Sequence, residues 1–549
     1  MIFSQRFITP TEAVIPGKAP DTVSYFMVTC TPVFMEGTNM KRAFDNDLYI
    51  SEQASFIRDR MKRFAGRLYL EFGGKLLNDF HAARVLPGYD PNVKIRLLKE
   101  LQHDAEILLC IHAGAIEQRK IRADYGITYD ADAMKLMDDL KEWGLSVSAV
   151  VITRWEGQAQ ARAFKTKMEN RGVRVYLHAP TKGYPDDPAT IVSDIGYGAN
   201  PRIEIKKPLV VVTGPGPGSG KMATCLSQVY HDCKAGERAM YAKFETFPIW
   251  NLPLEHPVNV AYEAATLDLK DFNLIDPFHL AAHGESSVNY NRDVESFPIL
   301  AAILERITGQ GGVYKSPTDM GVNRAGFAIV DDAAVCEAAK QEIVRRYLRC
   351  ACEFAMGASD SQALTKAESL MKSLGISDSY RPVVPAARAA AREAERESVQ
   401  LDGSRDTGEA RGVDSVYCGA ALELPDGSIV TGKNSVLLHA ATAAVLNGVK
   451  ELAGIPDSIH LLSPIVIESI ARFKQDILRR KSASLDVDEA MIALSISAAL
   501  NPMVQACVAK LPELRDCQMH LSHLPTPGDE AGLRKLGVNL TSDPVFASK

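Results

Sequence analysis

Residues 209–233 read LVVVTGPGPGSGKMATCLSQVYHDC, and this stretch decides the fold. Leu209–Thr213 is apolar and mostly β-branched, as a strand buried on both faces requires. The glycines at 214, 216, 218 and 220 read as a tight turn, because glycine alone enters left-handed backbone freely. Met222 to Cys233 then reads as a helix. Strand, turn and helix make one β/α unit, and outward from it the same alternation recurs.

Upstream, strand candidates Leu68–Phe72, Ile107–Ile111, Val147–Ile152 and Val173–His178 alternate with helical patterns. Ala54, Ile57, Met61 and Phe64 recur at helical spacing after a Ser51 cap, and a helical stretch runs through Ile95–Leu101. Asp130 caps a helix carrying Ala133, Leu136, Met137, Leu140 and Trp143, and Ala161–Met168 is closed by Gly172. The expected fold is α/β, with a doubly wound, Rossmann-like parallel sheet over residues 46–330 behind an extension at 1–45. From Lys243 to Asn323 the periodicity gives way to dense polar and aromatic sequence, read as loops that form a site. Helices over roughly Asp331–Met356 and Ser361–Leu374 give a helical subdomain at 331–397, and a Gly/Ser/Asp-rich linker or insertion is expected at 398–417. Pro425-Asp426-Gly427 marks a hairpin and Leu437–Leu452 an apolar helix, so 418–549 reads as a C-terminal α+β subdomain.

The chain has 549 residues, 46% hydrophobic and 24% charged, with a formal net charge of −6. A core of ordinary size can be buried, and no bulk positive field draws the chain to nucleic acid or to anionic lipid. No nucleic-acid or membrane partner is expected. Ten cysteines without a Cys-x-x-Cys pair indicate neither a disulfide framework nor a zinc ribbon, and reduced thiols in a cytoplasm are expected. No apolar run reaches the ~18–20 residues of a membrane span.

A glycine-rich turn at a helix N-terminus aims free N–H groups and the positive end of the helix dipole at one point, which suits a phosphate. Gly216, Gly218, Ser219, Gly220 and Lys221 are the candidate ligand-binding residues. The triphosphate-loop pattern fails twice: Pro215 stands at the first glycine position and Met222 where a hydroxyl would hold magnesium. The dinucleotide pattern fails too, and no cofactor is identified. A Gly/Pro turn that merely lets strand and helix pack closely is the competing reading.

Active sites need polar groups on loops held by a rigid sheet. Lys243, Glu245, Asp276, His279, Lys315 and Asp319 are the candidate catalytic residues, within a crowd that includes Asn289, Arg292, Asp293 and Asn323. His279 and His283 lie four apart, with Asp276 and Glu285 nearby, but without a recognisable third ligand the pair is read as packed or solvated and no metal is assigned. Neither a His-Glu-x-x-His nor a Gly-x-Ser-x-Gly motif occurs, against a zincin or a serine hydrolase of that type. The unit Ala420–Leu452 looks like the opening of the cytidine-deaminase-type fold, yet His439 is followed by Ala440 and Ala441 and no Cys-x-x-Cys exists, so deaminase activity is not expected.

LYLEFGGK (68–75), VVTGPGPGSGKMATCLSQVYH (211–231), KFETFPIWNLPL (243–254), VNYNRDVE (288–295), YKSPTDMGVN (314–323) and ELPDGSIVTGK (423–433) together resemble uncharacterised protein family three-seven-one, a group of conserved bacterial proteins. The resemblance runs from about Met40 to the C-terminus. It implies an N-terminal α/β domain, a helical middle and a deaminase-like C-terminal subdomain, and it supplies no catalytic residues. Members have been labelled ATP-dependent peptidases, a label the motifs do not support. Residues 1–39 precede the usual start, so Met40 is read as the initiator, and Ser398–Val413 reads as an insertion. The expected function is that of a cytoplasmic enzyme binding a nucleotide or another phosphorylated small molecule at Gly216–Lys221. The alternative is a non-catalytic binding or assembly protein whose C-terminal helices form a homo-oligomer.

Overall fold

The structure, a computed structural model, describes residues 42–122, 126–402, 417–480 and 482–547. Nearly all of the expected N-terminal extension and most of the expected linker lie outside the described residues.

Besides a short antiparallel pair at Ile121–Arg122 and Ile127–Thr128, the described strands of the first part of the chain are β1 Arg67–Phe72, β2 Ala105–His112, β3 Val147–Thr153, β4 Arg174–Leu177, β5 Leu209–Thr213, β6 Ala239–Phe244, β7 Asn273–Ile275, β8 Val288–Tyr290 and β9 Gly321–Val322. Seven of them form one parallel sheet in the order β9-β6-β1-β5-β2-β3-β4. Both faces are covered. Leu109, Ile111, Val150 and Ile152 pack with Ala133, Ala161 and Phe164 on one side; Leu108, Cys110, Ala149 and Val151 share a cluster with Cys225, Leu226 and Val229 on the other. This two-sided burial explains why the strands read as continuous apolar runs. The mixed α/β architecture with a central parallel sheet is consistent with the Rossmann-like expectation.

Strand order reverses at the centre. The chain passes from β1 to β2, β3 and β4 on one side, then returns through β5, which inserts between β1 and β2, before reaching β6 and β9 on the other. Ligands of open α/β sheets bind outside the carboxyl ends of strands at such a reversal. The Gly214–Gly220 turn leaves β5 at that point.

Helix α1, Asn46–Phe64, starts five residues before the expected Ser51 cap, because the Asp45 carboxylate accepts the N–H groups of Asp47 and Leu48. Asn46 and Tyr49 extend the buried face by one turn, and a buried asparagine hides that turn from an apolar pattern. The helix Tyr129–Glu142 is likewise preceded by Thr128, with Asp130 and Asp132 in its first turn, where carboxylates complement the dipole. Helix α2, Lys221–Lys234, begins one residue earlier than read.

The region expected to be mostly loop is more regular. It holds the helix Pro257–Ala265, helix α3 (Pro277–His283), helix α4 (Asn291–Thr308) and the antiparallel β7–β8 pair. In α4 the buried Phe297, Leu300, Ile303 and Leu304 keep helical spacing, but Pro298 interrupts the sequence signal. In the C-terminal part, β10 Gly419–Glu423, β11 Ile429–Lys433, β12 Gln518–Leu521 and β13 Asn539–Ser542 form a sheet in the order β11-β10-β12-β13 over a separate core. The helix Val383–Asp402 lies against this sheet, so close that a Cβ at Gly419 would stand 2.2 Å from the Ala387 carbonyl.

A side chain at Gly214 would meet Ser219 Oγ at 2.4 Å and the Cys110 carbonyl at 2.5 Å. Gly214→Ala should therefore lower stability by about 1–3 kcal/mol, read as a lower urea midpoint at unchanged slope; an unchanged midpoint would refute this packing.

Candidate functional site

The turn after β5 is held from below. Thr153, the last residue of β3, donates its Oγ1 hydrogen bond to the Ser219 carbonyl at 2.8 Å. Gly220 has φ +86°, and a Cβ there would lie 2.7 Å from the Thr153 side chain, so glycine is required both by backbone and by space. Gly216 faces the Tyr129 ring, where a Cβ would come within 2.7 Å. Gly218 is exposed, Ser219 buried and Lys221 half-buried. No side chain caps the N-terminus of α2. Among the described residues Lys221 makes no hydrogen bond or ion pair, and the Ser219 hydroxyl is buried without a partner.

A second polar group stands on the same edge. Lys243 and Glu71 are register partners of β6 and β1, and Tyr241, two residues before Lys243, donates to Glu71 Oε2 at 2.7 Å. Lys243 Nζ lies 2.6 Å from both oxygens of Asp293 on α4, 2.8 Å from Glu245 Oε1, and 4.6 Å from the Tyr290 ring centroid. It also donates to the Tyr290 hydroxyl, which donates in turn to Glu245 Oε1. Burial works against the Lys243 charge, but Asp293 and then Glu245 outweigh it and hold the ammonium well above the usual lysine range.

Glu245 responds in the opposite sense. Burial pushes its carboxyl up from an ordinary 4.5 to about 7, against the pull of Lys243. Oε1 already accepts from its neighbours, whereas Oε2 is buried without a partner among the described residues. The proton therefore belongs on Oε2, a donor with nothing to receive it. The side chain leans over Gly73 at the end of β1, where a Cβ would be 3.2 Å from Glu245 Cγ. Since β1 lies between β6 and β5, Glu245 overhangs the strand next to the glycine turn.

The remaining expected residues fall elsewhere. Asp276 caps α3, accepting from the N–H groups of Phe278 and His279 at 3.0 Å each, while its other oxygen accepts from Thr318 Oγ1 at 2.7 Å. It is fully buried, and its acceptors are used in holding α3. Lys315 is exposed and engages Asp319 only through its backbone N–H. His279 and Asp319 meet, together with His283, and none of the three hydrogen-bonds to Lys243, Glu245 or Asp293 among the described residues. A cavity of about 850 Å³ opens between α1 and the helix Val93–Glu100, lined by Asp47, Arg58, Arg96, Glu100 and Trp143, and holds none of the expected residues. Glu71 and Tyr290 were not among the expected residues. Their signal was present: a charge near the end of an apolar parallel strand, and a tyrosine directly before the NRD at 291–293.

Fold and site define an α/β protein with a glycine-rich turn and a buried acid–base group on one edge of a parallel sheet. Residues 42–375 match a domain of unknown function, DUF1846, N-terminal part, and residues 379–549 match its C-terminal part. A UPF0371 protein of Clostridium botulinum is 51% identical over 510 residues, covering 93% of this chain and 99% of that protein. A UPF0371 protein of Clostridium tetani matches equally, at 51% over 510 residues. The chain belongs to this bacterial family, for which no function is established.

The raised carboxyl carries a sign. Between about pH 4.5 and about pH 7 the folded state holds a proton that the unfolded chain has released, so Glu245 makes stability fall as pH rises through that window. Glu245→Gln should flatten this part of the slope in urea unfolding at about pH 5 and about pH 7.5; a parallel slope in the variant would show that Glu245 is not the group.

Proposed function

We propose that the protein is an enzyme that binds a nucleotide or another phosphorylated small molecule on the Gly216–Lys221 turn, with Glu245 transferring a proton beside it. The observation that carries this reading is the pairing, on one sheet edge, of an uncapped helix N-terminus with a buried carboxyl that has one unpartnered oxygen. The N–H groups of the turn and the Lys221 ammonium would bind phosphate oxygens. A carboxyl with a pKa of about 7 can give or take a proton near neutral pH, as general acid–base catalysis needs. Lys243, fixed in its charged form by Asp293, would stabilise negative charge developing on the reacting group. The C-terminal subdomain, read as deaminase-like, acts here as scaffold: His439 Nδ1 is engaged by Asp529 at 2.7 Å, and Ala441 stands where that chemistry needs a glutamate. The protein is read as cytoplasmic. The nine cysteines among the described residues are free thiols, and no helix there is long and apolar enough to cross a membrane.

Thermal shift against nucleotides, dinucleotides and sugar phosphates tests the reading. A ligand at ~100 times its dissociation constant should add about 2.7 kcal/mol, and Lys221→Ala should abolish the shift. A panel without effect would favour the second reading.

That second reading, a non-catalytic assembly protein, is favoured by a separate observation. Lys243 and Asp293 neutralise each other, while the helix Val487–Ala498 and the turn after it leave Ile492, Ile496 and Leu500 exposed at helical spacing. Pairing of this face with a second copy would bury it. Light scattering after gel filtration should give a dimer or larger species that Ile496→Glu with Leu500→Glu dissociates; a monomeric parent protein would exclude the assembly.

A further inference from the structure

We infer that His279, His283 and Asp319 form a binding site for a divalent transition-metal ion such as zinc, separate from the glycine turn. The site is built from two short elements. His279 and His283 lie one helical turn apart on α3, with ring centroids 4.6 Å apart. Asp319 belongs to the short helix Pro317–Met320, whose Ser316 cap accepts the Asp319 N–H at 3.0 Å.

Distances favour coordination. Tetrahedral zinc holds nitrogen and oxygen ligands at about 2.0–2.2 Å, which places neighbouring ligand atoms about 3.3–3.6 Å apart. Here His283 Nε2 is 3.1 Å and His279 Nδ1 is 3.7 Å from Asp319 Oδ1, and one ligand atom from each residue lies within 4.8 Å of the others. Small adjustments would bring all three to a common centre. Two imidazoles and a carboxylate are the donor set borderline divalent metals take, and three protein ligands leave a fourth position for water or substrate.

The surroundings hold the ligands in place. The Ser316 hydroxyl accepts from the Asp319 N–H, so its own proton is free to be donated to His279 Nδ1, 3.0 Å away. In the ion-free protein that proton occupies the single Nδ1 lone pair; an ion would take the lone pair instead, and the Ser316 hydroxyl, unlike a backbone N–H, can rotate away from it. Asp276 anchors both elements, capping α3 with one oxygen and accepting from Thr318 with the other. Arg60 donates to the carbonyls of Asp319 and Met320 at 2.8 and 2.6 Å, bracing the turn through its backbone. The His283 side chain is 35% exposed, which leaves a path for an ion to enter.

A second cluster, His256, Asp332 and Cys336, is a poorer candidate for a chemical reason. His256 Nδ1 accepts from the Val258 N–H at 3.2 Å, so in the neutral ring the proton is on Nε2, the nitrogen that faces Asp332. Burial and then Asp332 also raise the Cys336 pKa, against the thiolate a metal needs.

The test is titration of tag-free, chelator-treated full-length protein with zinc and with cobalt(II), without any nucleotide. Tight binding of one ion per chain is expected, with a cobalt ligand-field spectrum of nitrogen and oxygen donors and no thiolate charge-transfer band. Loss of an outer partner alone costs a metal site about 10–100-fold in affinity, so His283→Gln and Asp319→Asn should each cost about a hundredfold or more, and Cys336→Ser should change nothing. Circular dichroism of the exposed-site variant His283→Gln checks that the fold is kept. No tight binding by the parent protein, unchanged affinity in folded His283→Gln, or a thiolate band that Cys336→Ser removes would each overturn the assignment.

Discussion

A cation at the carboxyl end of a parallel sheet must be neutralised where it stands, and the arrangement of residues 243–323 follows from that requirement. Lys243 is largely withdrawn from water, and an unpaired buried charge costs several kcal/mol. Asp293 supplies the countercharge from the first turn of α4. That places α4 over the end of β6, and the β7–β8 hairpin must then deliver Tyr290 to the same point. Glu245 is left between a charge already satisfied and a low-dielectric wall. Burial, and after it the Asp293 charge, raise its carboxyl to about 7 against the pull of Lys243.

The glycine turn answers a different constraint. β5 lies in the middle of the sheet, hydrogen-bonded on both sides, between β1 and β2. Its exit must clear Cys110 of β2 and Thr153 of β3, and only residues without a Cβ pass at Gly214 and Gly220. The same steric need leaves the first turn of α2 without a capping side chain. One demand for space thus produces both the packing and the exposed N–H groups that suit an anion. The two readings of the turn, structural and phosphate-binding, are therefore compatible at the level of geometry.

Much of the sheet was legible because two-sided burial writes itself as uninterrupted apolar runs: β1, β2, β3 and β5 all lie where those runs stand. What was hidden was hidden for physical reasons. Asn46 is polar yet buried, so α1 began too late in the reading; Pro298 broke the pattern of α4, so an 18-residue helix passed for loop. Site residues were legible as a crowd but not as partners. Lys243 and Glu245 are two apart and meet, whereas Asp293 joins them from fifty residues away through a fold that spacing does not encode. Asp276 stood out for the same reason as any functional acid, yet it serves as a helix cap. Asp319 is not associated with His279 and His283 by spacing, because it lies 36 positions beyond His283.

If the glycine turn and Glu245 serve one ligand, both must touch it at once. A crystal structure of the protein grown with a non-hydrolysable nucleotide measures this directly. The account predicts a phosphate within hydrogen-bond distance of the N–H groups of residues 218–222 and a ligand atom accepting from Glu245 Oε2. A ligand bound elsewhere, with the turn and Glu245 unchanged, would contradict it.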